Sequence, residues 1–167
     1  MADLLTAASP VPGVRAGTTS RPGTLTIDLA VTPQSLGIVR SIVGAHLRLW
    51  GVSNLEDIRD RMVLAIDELL ANVLDHAVDP RDATAKNAKL LVLRIPDALV
   101  AVVTDADPTA PRESSDLDEA SEDGRGLLLV KSVSDDFGVS VNKDGKDIWA
   151  KFLCPEPEAE AAERRRR

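Results

Sequence analysis

Glu68, Asn72 and His76 recur at four-residue intervals in the segment ELLANVLDH. On a helix, residues four apart share one face. A carboxylate, an amide and an imidazole would therefore form a single stripe. A carboxylate can take a proton from a water or a hydroxyl as general base. An amide oxygen is a hard ligand that suits Mg2+, a cation that prefers oxygen and often bridges to phosphates. Asn is poorly suited to a helix interior, because its side chain competes for backbone hydrogen bonds. Its presence there calls for a use. The plain alternative is a solvated helix face on which the three do nothing, and a Glu four residues before an Asn is common by chance.

Two further segments carry compatible chemistry. VVTDAD closes an apolar run with Asp105. A carboxylate at a strand end can accept a hydrogen bond from an exocyclic amine, such as that of adenine. EDGRGLLLV then places Gly124 and Gly126 on either side of Arg125, directly before an apolar helical run. Glycines there let backbone N–H groups approach an anion, and a helix N-terminus adds partial positive charge. The plain alternatives are a turn aspartate and a flexible loop. Each signal is weak singly. Their order and separation make the joint coincidence much less common.

The elements that must position these residues follow from periodicity. Leu25, Ile27, Leu29 and Val31 alternate with polar residues, which predicts a half-buried strand. Thr32-Pro33 opens a helix that stops at Gly51, with Thr as cap and Pro at the first helical position. Ser53 with Glu56 has the form of a capping box for the helix that carries the stripe and ends before Pro80. On that helix Met62, Ile66, Leu69, Leu70, Val73 and Ala77 fall on one face and are expected to meet a sheet, with the polar stripe at its rim. KLLVLRIP and ALVAVVTD read as two strands, 106–123 as a long loop, GLLLVKSVS as a short helix. FGVSVN and DIWAKFL form a hairpin around Lys143-Asp144-Gly145-Lys146. The expectation is an α+β fold: a two-layer α/β sandwich with a mixed, mostly antiparallel sheet and helices on one face. A loop as long as 106–123 in a compact domain is usually functional or disordered.

Composition sets the class. The chain has 167 residues, suited to one domain at 24–153 between a Pro/Gly/Ser-rich tail at 1–23, expected to be disordered, and a charged tail at 154–167. Hydrophobic residues make up 44% but there are only two Phe, two Trp and no Tyr, so the core must be aliphatic. A net charge of −7 argues against a broad nucleic-acid-binding face, and the terminal RRRR reads as a solvated run. Cys154 stands alone, so no disulfide framework is available. No signal peptide or membrane-length apolar run is visible, which points to a soluble cytoplasmic protein without a membrane partner.

With these motifs in place, the chain resembles the GHKL (Bergerat-fold) ATP-binding superfamily, and within it the bacterial anti-sigma-factor serine/threonine kinases of actinobacterial type. LAIDELLANVLDHA is similar to the family's Asn-containing helix, GRGLLLV to its second glycine motif and DIWAKF to its final strand. The resemblance covers roughly Thr24 to Leu153. It implies ATP and Mg2+ as cofactors. Asn72 would hold the metal on the phosphates, and Glu68 would be the general base or would orient the nucleophile. Asp105 would bind the adenine amine. Gly124, Arg125 and Gly126 would lie by the phosphates at the hinge of a lid formed by 106–123. His76 would be peripheral to the phosphates, and Lys131 would help to offset the charge of an acidic lid. The implied partners are a sigma factor and an antagonist of the anti-sigma factor, and a homodimer is among the assemblies the family forms.

One departure from the pattern concerns the aspartate motif, which in many members continues Asp-x-Gly-x-Gly. Here Asp105 is followed by Ala106, Asp107 and Pro108, and neither glycine is present. Asp107, if it points inward, would weaken binding of an anionic nucleotide. The leading expectation is a protein kinase that also sequesters a regulator. The alternative is a catalytically silent module of the same fold that regulates a sigma factor or antagonist without phosphorylation. An isolated sensor-kinase ATPase domain ranks lower, and a DNA-binding tail lower still.

Overall fold

The computed structural model describes residues 19–21, 23–52, 56–111 and 125–154. In chain order they form β1 (Thr19–Arg21), β2 (Thr24–Ala30), α1 (Pro33–Leu49), α2 (Glu56–His76), β3 (Asn87–Ile95), β4 (Ala98–Asp105), α3 (Arg125–Val133), β5 (Asp136–Asn142) and β6 (Gly145–Leu153). The strand order is β1-β2-β3-β4-β6-β5, and every neighbouring pair is antiparallel. The expected mixed sheet is thus antiparallel throughout. The strand β1 is an addition, because the sequence reading placed the whole of 1–23 in a disordered tail.

Local chemistry explains the elements. Thr32 caps α1: its hydroxyl accepts from the Ser35 N–H at 3.1 Å, and the Ser35 hydroxyl accepts from the Thr32 N–H at 2.9 Å. This reciprocal pair satisfies two of the donors that a helix start leaves open. Pro33 occupies the first turn, where its missing N–H is no loss. In α2, Glu56 and Asp57 lie in the first turn, where carboxylates favour the positive end of the helix dipole. The capping box read at Ser53 lies outside the described residues.

Alternation along the strands decides the layers. Leu25, Ile27 and Leu29 of β2, Leu90 and Val92 of β3, Leu99, Ala101 and Val103 of β4, and Ile148, Ala150 and Phe152 of β6 are all buried. They join Met62, Ile66, Leu69, Leu70 and Val73 of α2 and Val39, Val43 and Leu47 of α1 in one core. Fully burying such a side chain contributes roughly 1.5–3 kcal/mol. The helix α2 lies across β3, β4 and β6, with α1 against its flank and β2, and α3 against α2 and β5. Arg61 fixes the far end of α3. Its guanidinium donates to the Val133 carbonyl at 2.9 Å, lies 3.6 Å from an Asp135 carboxylate oxygen and sits over the Phe152 ring. The opposite end of α3 is thereby set against the middle of α2. No helix among the described residues is long and apolar enough to cross a membrane.

Candidate functional site

A cavity of about 280 Å3 opens where α2 crosses the ends of β4 and β6. Its apolar walls come from Leu69 and Val73 of α2, Val103 of β4, Leu127 of α3 and Ile148 of β6. Its polar residues are Asn72, His76, Asp105, Asp107, Thr109 and Lys146. The four-residue spacing on α2 brings Asn72 and His76 to the same opening, as the stripe predicted. An apolar hollow with a few convergent polar groups is the usual form of a small-molecule site.

The glycine motif meets the stripe directly. A Cβ placed on Gly126 would fall 3.0 Å from Glu68 Oε2, 3.4 Å from Asn72 Oδ1 and 3.5 Å from Asn72 Nδ2. A side chain here would press on the Glu68 and Asn72 side chains, so glycine gives the first turn of α3 its close fit against α2. Glu68 therefore stands beside Gly126, although it is not part of the cavity lining. Asn72 Nδ2 is buried and has no hydrogen-bond partner. An unmet buried donor costs about 1–3 kcal/mol, and this one sits at the wall of a cavity beside a helix N-terminus. Arg125 begins α3 and is exposed. Gly124 and the acidic part of the predicted lid lie outside the described residues. Lys131 does not line the cavity; its Nζ lies 5.4 Å from the centroid of the Phe137 ring.

At the other wall, three charged side chains are packed together. Asp105 and Lys146 are directly opposite in the β4–β6 ladder, so their side chains share a face. Lys146 Nζ donates to Asp105 Oδ1 at 3.0 Å and to the Asp107 carbonyl at 3.3 Å, and lies 3.5 Å from Asp107 Oδ2. The Asp107 N–H also donates to Asp105 Oδ1, at 2.9 Å. Burial pushes the Asp105 carboxyl above its ordinary value, against the lowering effect of the Lys146 and Asp107 bonds. For Asp107, burial acts upward too. Its bonds from Thr109 and from the Val78 N–H, together with the Lys146 charge, outweigh that, and its pKa lies below the ordinary value. Asp107 does point inward. Its charge is met by Lys146, and its carboxylate ties the segment after β4 to the end of α2.

Gly145 completes this wall. Its φ is 146°, and a Cβ there would fall 1.9 Å from the Asp105 carbonyl oxygen. The start of β6 and the end of β4 can touch only through a glycine. Sequence reasoning assigned Gly145 and Lys146 to a hairpin turn and gave neither a part in the site. The hairpin loop proper is Lys143-Asp144, with Asn142 paired to Gly145, so Gly145 and Lys146 already belong to the strand. The signal that could have found Lys146 is an unpaired buried Asp105 needing a cation.

Comparison with known proteins adds the family. No curated protein matches the chain. The crystal structure of the RsbU and RsbW domains of Rv1364c from Mycobacterium tuberculosis has a similar fold, with a TM-score of 0.54 and 17% sequence identity over 80% of this chain. The chain spans 34% of the length of that solved chain. Residues 29–152 match the family described as the histidine kinase-like ATPase domain. That match takes in Asn72, Asp105, Gly126 and Lys146 alike, and with the α+β sandwich it shows that the chain belongs to the histidine kinase-like ATPase domain family.

Proposed function

We propose that the chain is a cytoplasmic Mg·ATP-binding regulator, an anti-sigma factor that acts as a serine/threonine protein kinase on its antagonist. The observation that carries this reading is the buried, unpartnered amide nitrogen of Asn72, set beside Gly126 and the α3 N-terminus in a cavity whose other wall holds Asp105. A magnesium ion that arrives with phosphates needs only one or two protein oxygens. The Asn72 amide, turned about its terminal bond, can offer one, so the residues fit the ion. Bound there, the metal would neutralise charge on the transferring phosphoryl group.

The chain's own residues divide the remaining tasks. The Asp105 carboxylate accepts the base amine. The α3 N-terminus favours the phosphates. Glu68, at the same contact with Gly126, takes the proton of a Ser or Thr hydroxyl. The identity of the partners rests on the sequence resemblance.

The test begins with co-purification from the native cell, followed by incubation with labelled Mg·ATP. The expected result is label on Ser or Thr of a co-purified protein. Asn72→Ala should abolish transfer with an unchanged circular dichroism spectrum. Transfer at the wild-type rate in that variant would overturn the mechanism.

One feature favours a second reading, a module that binds its partner without catalysis. Asp105 Oδ1 is already engaged by Lys146 and by the Asp107 N–H, and no glycine follows to loosen that turn. Calorimetry separates the two: no heat at millimolar Mg·ATP favours the silent module.

A further inference from the structure

Lys146 stands at the cavity wall in a place that the motif-based assignment leaves without a role. Its side chain is 10% exposed and that of Asp105 is 3% exposed. The two lie face to face across β4 and β6, and their bond is supplemented by the Asp107 N–H on the same carboxylate oxygen, Oδ1. Both of these bonds fall on Oδ1. Asp105 lines the cavity, and Oδ2 is the oxygen that these two bonds do not use.

We propose that Lys146 is a specificity-determining residue, which holds Asp105 as an oriented, ionised acceptor and thereby makes the cavity select a purine bearing an exocyclic amine. The inference rests on the nucleotide reading above and extends it to a residue outside the sequence motifs. Lys146 acts through Asp105. Its protons are directed at Asp105 Oδ1 and at the Asp107 carbonyl, with the Asp107 carboxylate at 3.5 Å, so it is a positioning residue. A buried carboxylate that loses its cation tends to take up a proton. The upward push that burial already exerts on Asp105 makes this loss consequential. A protonated Asp105 can donate as well as accept, and it no longer distinguishes an amine from a keto oxygen. Apolar replacement of Lys146 also frees the Asp105 side chain to rotate.

The test compares Mg·ATP with Mg·ITP, whose base carries an oxygen in place of the amine. Both are titrated calorimetrically against the full chain. Wild type is expected to prefer ATP by roughly tenfold to a hundredfold, the ratio expected when about 1–3 kcal/mol is lost on leaving a buried polar group unmet. In Lys146→Met the preference should fall to within about threefold, chiefly through weaker ATP binding, and Lys146→Arg should restore most of it. If Lys146→Met does not fold, Lys146→Gln, which keeps a donor but no charge, takes its place with the same expectation. An unchanged ratio in a folded, neutral variant overturns this inference and leaves nucleotide binding standing. A wild-type chain that binds neither nucleotide overturns the nucleotide reading and the inference with it.

Discussion

Asp107 and Asp105 lie side by side at one cation and titrate in opposite senses. Asp107 has a folded pKa below its ordinary value of 3.8. Below 3.8 the unfolded chain binds the proton first, so this carboxylate contributes stability that is fully present above 3.8 and is lost as pH falls through its lower folded value. Asp105 has a raised pKa, so its own effect has the reverse sign. Asp107→Asn removes the first contribution and also takes away the like charge that adds to the upward push on Asp105. The stability difference between wild type and Asp107→Asn, followed by urea unfolding, should be full above 3.8 and close as the solution becomes more acidic. A difference that stays constant with pH would show that the bonds to Val78 and Thr109 do not depend on the charge. Asp107 also shows why an extra carboxylate is tolerated at the cavity wall: Lys146 and two backbone N–H groups face it.

Among the elements, the contact between β4 and β6 gives the most direct test of the backbone. Gly145→Ala meets both a positive φ and the Asp105 carbonyl. It is expected to destabilise the fold by at least about 2 kcal/mol, from backbone strain and overpacking together. The matched control is Gly37→Ala in α1, where nothing lies within 4 Å and the helix propensity of Ala should add about 0.5–1 kcal/mol. Denaturant midpoints for the two variants should move in opposite directions. Much of this architecture was legible beforehand. The Thr32-Pro33 start, the stripe on α2 and the strands on either side of Pro96-Asp97 all follow from local rules of capping and period. What escaped was non-local. Lys146 faces Asp105 because β6 pairs with β4 and not only with β5, and hairpin signals cannot show that pairing. The strand β1 escaped because its three residues have no apolar alternation and owe their state to β2.

For the molecule as a whole, the aliphatic core and the site are one construction: Leu69 and Val73 are buried in the core and also line the cavity. Occupying the cavity should therefore stabilise the entire domain. A ligand at about a hundred times its Kd adds about 2.7 kcal/mol, which corresponds to roughly 5–10 °C in Tm for a domain of this size. Mg·ATP should raise the wild-type Tm by that order, and Asn72→Ala should lose most of the rise. An equal rise in the variant would show that the amide does not grip the nucleotide.

The strand order carries a consequence for synthesis. Among the described strands β6 comes last in the chain, yet it is inserted between β4 and the earlier-made β5, and it supplies Lys146 and Ile148 to the cavity. A nascent chain still lacking this segment has α2, β4 and α3, with Asn72, Asp105 and Leu127, but not the part of the wall that Lys146 and Ile148 complete. The cavity is complete only once β6 has paired with β4, so an occupant that touches Lys146 or Ile148 rewards the finished sheet and not its earlier stages.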